Sequence, residues 1–197
     1  MVLVGKKAPD FTADAVINKE FKKISLKDYL GKWLVFFFYP LDFTFVCPTE
    51  ITSFSDSCGE FKNRETEVLG ASTDSIFSHL AWINTPRTSG GLGDIAFPLV
   101  ADFNKKIAED YGVLQSDGVT LRATFIIDPE GNVLFELIHS NDIGRNINEI
   151  IRNIDALQYV KKYGEVCPSN WVPGKDTMKP DPIKKLEFFK KHTLGHI

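Results

Sequence analysis

Residues 33–50 read WLVFFFYPLDFTFVCPTE, and this stretch decides the fold class. Its first seven residues, Trp33–Tyr39, are apolar without alternation, a pattern typical of a central strand covered on both faces. Pro40 ends that strand, because proline lacks the backbone N–H that a sheet ladder uses. Beyond the loop, apolar residues recur at helical spacing: Ile51, Phe54, Cys58 and Phe61. The stretch therefore predicts a buried strand, a loop and an amphipathic helix.

The flanking sequence extends this unit into a sheet with helices. Strands are predicted over Phe11–Val16 (an edge element), Glu67–Thr73 and Phe97–Ala101, and helices over Ser75–Ile83 and Asn104–Tyr111. Ser25 and Asp28 form a capping-box pattern, which predicts a short helix that ends before Gly31.

The C-terminal half adds a hairpin and a long helix. Ala123–Ile127 and Val133–Ile138 flank the turn sequence Asp128–Gly131, which predicts an antiparallel pair of strands. Asn146–Tyr163 carries apolar residues at helical spacing and is predicted to be a packing helix. The order βαβαβ, then hairpin, then helix predicts an α/β fold with a thioredoxin-like mixed central sheet and helices on both faces.

The apolar pattern fails after Gly164. Residues 165–197 contain four prolines and then a short amphipathic segment, Ile183–Lys191. We therefore expect a main domain over residues 1–164 and a C-terminal arm over residues 165–197. The arm is expected to bury its apolar side chains against a partner.

Composition excludes several classes of function. The 197 residues include 23 lysines and arginines against 26 aspartates and glutamates, a net charge of −3, which argues against general binding to nucleic acid or anionic membranes. The longest apolar run is far shorter than the ~18–20 residues of a membrane span. The start of the chain, MVLVGKKAPD, shows no targeting signal, and three cysteines do not make a secreted disulfide framework. We therefore expect an intracellular, cytoplasmic protein.

Cys47 is the first candidate for chemistry, since it follows a central strand at or near the first turn of a helix. Helix N–H groups and the helix dipole favour a thiolate there. The hydroxyl of Thr44 can donate to that thiolate and to an incoming oxygen, and Pro40 and Pro48 stiffen the loop. From these residues alone, a small buried core thiol remains an equally good interpretation. Cys58 lies on the apolar stripe of the same helix and is predicted to be a core thiol.

The pattern P-x-x-x-T-x-x-C from Pro40 to Cys47 matches the active-site pattern of the peroxiredoxins. The surrounding FFFYPLDFTFVCPTE closely resembles the typical 2-Cys subgroup, and a second V-C-P cysteine, Cys167, follows Cys47 by 120 residues. Other matching segments are HLAW (79–82), GGLG (90–93), FPLVAD (97–102), LRATFIIDPEG (121–131), GRN (144–146) and GEVCPSNW (164–171). The resemblance covers residues 5 to about 190.

The resemblance implies a catalytic role for each matching residue. Cys47 would be the peroxidatic cysteine, which attacks a hydroperoxide and becomes a sulfenic acid. The hydroxyl of Thr44, the backbone N–H of Cys47 and the guanidinium of Arg122 would stabilise the reacting atoms. Glu50 would accept hydrogen bonds from arginines around the pocket, and Arg145 would help to hold that network.

The resemblance also implies partners. Cys167 would be the resolving cysteine and would form a disulfide with Cys47 of the other subunit, so a homodimer is required, and the subgroup suggests a decamer of five dimers. Thioredoxin or a similar dithiol would reduce the disulfide. A peroxide sensor or holdase chaperone, and a binding module with inert cysteines, are the alternative functions.

No metal or cofactor is expected. His79, His139, His192 and His196 show no metal-ligand spacing with the cysteines. The GGLG segment is too short for a dinucleotide cradle, and no helix follows it directly.

Two positions depart from the family pattern. Ala123 stands where the family usually has glycine, and its methyl group is expected to narrow the pocket slightly. Phe188 and Phe189 stand where members sensitive to overoxidation carry a Tyr-Phe pair.

Overall fold

The computed structural model describes residues 2–192. The chain forms two compact units, and the boundary between them in the sequence lies between Ile147 and Asn148. In the first unit, seven strands form one mixed sheet in the order β2-β1-β5-β4-β3-β6-β7. The strands are β1 (Thr12–Ile17), β2 (Glu20–Ser25), β3 (Trp33–Phe38), β4 (Thr66–Ser72), β5 (Leu99–Ala101), β6 (Arg122–Ile127) and β7 (Val133–His139). The helices are α1 (Cys47–Asp56), α2 (Cys58–Lys62), α3 (Ile76–Asn84), α4 (Lys106–Asp110), α5 (Ile147–Tyr163) and α6 (Lys185–Lys191).

Strand β3 is the central strand that its sequence predicts, with all six residues buried. It pairs in parallel with β4 and antiparallel with β6. Phe36 and Phe38 face one side of the sheet, where both rings contact Tyr111 after α4. Phe37 faces the other side and stacks on Phe54 of α1, with ring centroids 4.3 Å apart. The prediction of a mixed sheet with helices on both faces is confirmed.

The N-terminal prediction is incomplete. Strand β1 is not at the edge, because β2 pairs with it and forms the edge instead. Ile24 is the one buried residue of β2. Its sequence, EFKKIS, is therefore mostly polar and lacks the apolar pattern that would predict a strand. The capping box of Ser25 and Asp28 is present, and it begins a 3₁₀ helix over Leu26–Tyr29.

The helix predicted across Ile51–Phe61 is divided into α1 and α2 at Ser57. The four apolar residues of the predicted stripe are nevertheless all buried. The periodicity therefore predicts which face packs on the sheet, although it does not reveal the break.

The second unit has a small packed centre of its own. Trp171 is buried, and its ring lies 5.4 Å from that of Tyr159 on α5. Arg152 of α5 also donates to the carbonyl oxygen of Trp171. Phe188 of α6 is buried and stacks on His192, with ring centroids 4.3 Å apart.

Truncation of the stacked pair beneath α1 tests the packing described here. We expect Phe54→Ala to lower the free energy of unfolding by about 3–5 kcal/mol, because it removes a fully buried ring and leaves a cavity. The matched control is Phe103→Ala, since Phe103 is 72% exposed, and it is expected to change stability by less than about 0.5 kcal/mol. Urea unfolding measures both, and equal effects of the two changes would contradict this account.

Candidate active site

Cys47 is the first residue of α1, and its side chain is fully buried. The preceding residue, Val46, makes no side-chain cap, Pro48 has no N–H, and the N–H groups of Thr49 and Glu50 donate to the carbonyl oxygen of Val46. The backbone N–H of Cys47 itself and the helix dipole therefore contribute the positive end of α1 near the sulfur. The structure thus places the Cys47 thiol at a helix N-terminus, a position that suits an anionic nucleophile.

Arg122 begins β6 and reaches the Cys47 sulfur. Its Nη1 donates to the sulfur at 3.3 Å and to Oε2 of Glu50 at 2.5 Å. Its side chain is only 3% exposed, so little water competes for these hydrogen bonds. The contact therefore places a buried positive charge directly at the Cys47 sulfur.

Glu50 lies one turn after Cys47 on α1 and joins two arginines. Its Oε1 accepts from the backbone N–H and from Nε of Arg145, both at 2.8 Å, while its Oε2 accepts from Arg122. Burial opposes ionisation of Glu50, but Arg145 and Arg122 together lower its pKa below the ordinary value. The ionised Glu50 balances one of the two guanidinium groups, and a Cys47 thiolate would balance the other.

Arg145 is held from several sides. Its guanidinium donates to the carbonyl oxygens of Ala123 at 3.0 Å and Phe38 at 2.8 Å, and it lies 4.9 Å from the ring centroid of Phe37. Burial lowers the pKa of Arg145, and the carboxylate of Glu50 opposes that effect. The charge of Arg145 is therefore paired, hydrogen-bonded and fixed in place.

Pro40 and Thr44 lie in the loop before Cys47. Pro40 is buried directly after β3. The hydroxyl of Thr44 donates to the carbonyl oxygen of Leu41 at 3.0 Å. A hydroxyl carries one proton, so the expected donation from Thr44 to the Cys47 sulfur is not made in this conformation.

The three cysteines are all free thiols in different surroundings. Cys167 is half-buried in the second unit, where burial raises its pKa and Arg152 opposes that shift. Cys58 is buried beside α1, and burial also raises its pKa, so it is a poor nucleophile at neutral pH. The prediction of a core thiol at Cys58 is confirmed.

The expected effect of Ala123 on the pocket is wrong. Ala123 pairs with Phe38 across the sheet, and its methyl group belongs to the core on that face. Arg122, the preceding residue, faces the opposite side because side chains alternate along a strand. The methyl group therefore packs in the core and does not narrow the space around Cys47.

Sequence reasoning missed the anchor of the loop that carries Cys47. The carboxylate of Asp42 accepts from the hydroxyls of Tyr39 at 2.9 Å and Ser78 at 2.8 Å, and it lies 2.8 Å from Nδ1 of His79. His79 and Ser78 belong to α3, so these bonds tie the loop to that helix. Only the family segment HLAW drew attention to His79, and no local signal marked Asp42.

Among residues 2–192, no group of three or more histidine, cysteine, aspartate or glutamate side chains is arranged to hold a metal ion. His196 lies outside the described residues. No helix in the same range has the length and apolar character needed to cross a membrane.

The chain is similar to known proteins over most of its length. Residues 4–135 match the AhpC/TSA family, and residues 156–191 match the C-terminal domain of 1-Cys peroxiredoxin. Peroxiredoxin 1 of Brugia malayi is 55% identical over 94% of this chain and 82% of its own length. The chloroplastic 2-Cys peroxiredoxin BAS1 of Hordeum vulgare is 56% identical over 95% of this chain and 90% of its own length.

The fold of this chain is also similar to that of a solved structure. The reduced 2-Cys peroxiredoxin of Plasmodium vivax superposes with a TM-score of 0.90 and is 46% identical. The match covers 92% of this chain and 95% of that one. The chain therefore belongs to the AhpC/TSA family, and within it to the 2-Cys peroxiredoxins, which are thiol-dependent peroxidases.

Proposed function

We propose that Cys47 is the peroxidatic cysteine and that Arg122 directs its attack on a hydroperoxide. The observation that carries this proposal is the hydrogen bond from Nη1 of Arg122 to the Cys47 sulfur inside a buried cluster that has one excess positive charge. The thiolate forms an S–O bond with one peroxide oxygen while the O–O bond breaks. The departing hydroxide or alkoxide takes up a proton, so the products are a cysteine sulfenic acid and water or an alcohol.

The surrounding residues share the work of positioning. Glu50 accepts a hydrogen bond from Nη1 of Arg122 and is itself held by Arg145. Pro40 stiffens the strand end from which the loop leaves. Thr44 contributes once its hydroxyl rotates from Leu41 towards the reacting oxygen, where it donates a hydrogen bond to the developing negative charge.

Cys167 is proposed as the resolving cysteine. Its thiol condenses with the Cys47 sulfenic acid of the other subunit, so that a disulfide forms and water leaves. Thioredoxin or a similar dithiol then reduces the disulfide and is itself oxidised. The free thiol of Cys167 and its partial exposure support this assignment.

Two surfaces support self-association. Strand β7 is an edge of the sheet, and its Leu137 is partly exposed, which suits an antiparallel pairing of two copies in a homodimer. Phe43, Phe45 and Phe77 are more than half exposed, and the ring of Phe77 lies 5.4 Å from that of Phe21. Exposed aromatic patches mark contact surfaces, so these residues support a further contact between dimers, as in a decamer.

An inert binding module does not explain a buried arginine that donates to a cysteine sulfur. A secondary role as a peroxide sensor or holdase chaperone stays a prediction. The cytoplasmic location also stays a prediction, because the relatives include chloroplastic proteins.

Replacement of each cysteine separates the two proposed steps. Cys47→Ser is expected to abolish turnover, because serine supplies no anionic nucleophile at neutral pH. Cys167→Ser is expected to consume one equivalent of peroxide and then to stop. After peroxide treatment, the wild type should run as a dimer on a non-reducing denaturing gel, and both variants as monomers.

Cys58→Ser is the matched control and should dimerise like the wild type. A wild-type monomer with an internal disulfide would contradict the intersubunit pairing.

Removal of the guanidinium tests the proposed role of Arg122. We expect Arg122→Met to reduce the thiolate fraction of Cys47 at neutral pH and to slow its reaction with peroxide by about a hundredfold, because a buried donor to the reacting atoms is lost. The ultraviolet absorbance of the thiolate and stopped-flow single turnover measure the two effects. Arg64→Met removes an arginine from an exposed ion pair with Glu60 and serves as the control. Equal rates in the two variants would exclude the assignment.

The C-terminal segment that carries Phe188 and Phe189 is expected to favour overoxidation of Cys47, but less strongly than a segment with a Tyr-Phe pair. The sulfenic acid of Cys47 can react with a second peroxide before Cys167 reaches it. Phe188 keeps the apolar ring of the Tyr-Phe pattern but lacks its hydroxyl, whose hydrogen bond contributes about 0.5–1.5 kcal/mol. Phe188→Tyr is therefore expected to increase Cys47 sulfinic acid during turnover, and deletion of Lys185–Ile197 to remove most of it. Mass spectrometry measures this product, and equal amounts in the wild type and the truncated chain would contradict the prediction.

A further inference from the structure

The loop between β7 and α5 carries Arg145 and also contacts Arg122. The contact with Arg122 is made by Asn141. We propose that Asn141 is the positioning residue that aims the guanidinium of Arg122 at the Cys47 sulfur. This inference rests on the proposed function, since it assigns Asn141 a role in the same peroxide reaction.

Asn141 contacts Arg122 at two points. Its side-chain Oδ1 accepts from the backbone N–H of Arg122 at 3.0 Å, and its backbone carbonyl accepts from Nε of Arg122 at 2.9 Å. A guanidinium group is planar and rigid, so an acceptor on Nε fixes the direction of Nη1 as well. Nη1 is the atom that donates to the Cys47 sulfur. Asn141 therefore controls the direction of that hydrogen bond without touching the reacting atoms.

The amide of Asn141 uses its donor as well as its acceptor. Its Nδ2 donates to the carbonyl oxygen of Thr120 at 3.3 Å, while its Oδ1 accepts from Arg122. The buried Thr120 in turn donates its hydroxyl proton to the carbonyl oxygen of Tyr39 at 2.7 Å, at the end of β3. An asparagine side chain offers both an acceptor and a donor, whereas an aspartate offers only acceptors. The residue type at position 141 thus matches the two groups it faces.

Glu50 alone does not fix Arg122. Its Oε2 accepts from Nη1 of Arg122 but also from Nη2 of Arg145, so this oxygen is shared between the two arginines. A single contact at Nη1 would let the guanidinium of Arg122 turn away from the sulfur while it keeps its ion pair. The bond from Nε of Arg122 to the backbone carbonyl of Asn141 prevents that turn. The side chain of Asn141 holds this carbonyl in place through its bonds to the backbone N–H of Arg122 and to the carbonyl oxygen of Thr120, and these are the bonds that an alanine at position 141 removes.

The experiment compares Asn141→Ala, Arg122→Met and the double variant with the wild type. Single-turnover stopped flow measures the rate constant for peroxide, and ultraviolet absorbance against pH measures the thiolate of Cys47. We expect Asn141→Ala to slow the peroxide reaction by about tenfold and to shift the thiolate titration to higher pH, because a small misplacement of a catalytic group is costly. The double variant should react as slowly as Arg122→Met, and no slower. Asn104→Ala is the matched control, since it also removes a loop acceptor of a backbone N–H.

The outcomes separate the role of Asn141 from the proposed role of Arg122. A wild-type rate in Asn141→Ala, or the same fractional loss with and without Arg122, would overturn the role of Asn141 and leave the peroxidase site intact. A wild-type rate in Arg122→Met would instead overturn the proposed role of Arg122. Asn141→Ser, with a residue that is common in loops, repeats the comparison if the alanine variant does not fold.

Discussion

The site depends on the balance of charge inside one buried cluster. Two guanidinium groups, from Arg122 and Arg145, share a single carboxylate, that of Glu50. Burial of an unbalanced charge is costly, and the atom available to balance the second guanidinium is the Cys47 sulfur, 3.3 Å from Nη1. The contacts that satisfy the arginines are therefore the same contacts that surround the Cys47 sulfur with positive charge.

The topology of the sheet brings these charges together. Because β3 and β6 are antiparallel neighbours, the end of β3 lies beside the start of β6, and Phe38 pairs with Ala123. The chain that leaves β3 leads to Cys47, while the chain that enters β6 supplies Arg122. Alternation along β6 sends Arg122 to the face covered by α1 and Ala123 to the opposite core. A central strand and its antiparallel partner thus bring Cys47 and Arg122 into contact.

The sequence predicts those parts of the site that carry local patterns. The apolar run of β3 and the spacing of Phe54 and its neighbours predict the strand and the packed face of α1, and the resemblance supplies Arg122. Contacts between distant segments leave no such pattern: Asp42 and His79 meet at 2.8 Å although 37 residues separate them. Asn141 carries no such sequence signal either. It acts through a backbone carbonyl and a short amide, which any loop sequence can contain.

The charge cluster also bears on how Cys47 leaves its pocket. The first turn of α1 lacks a side-chain cap at Val46, so contacts of the thiolate with Arg122 contribute to holding that turn. Conversion of the thiolate to a neutral sulfenic acid removes the negative charge that balances the cluster. The contact is then weaker in the oxidised state than in the reduced state, since a hydrogen bond to an ionised acceptor is stronger than one to a neutral acceptor. On the proposed assignment, oxidation of Cys47 therefore weakens the contact that joins the start of α1 to β6.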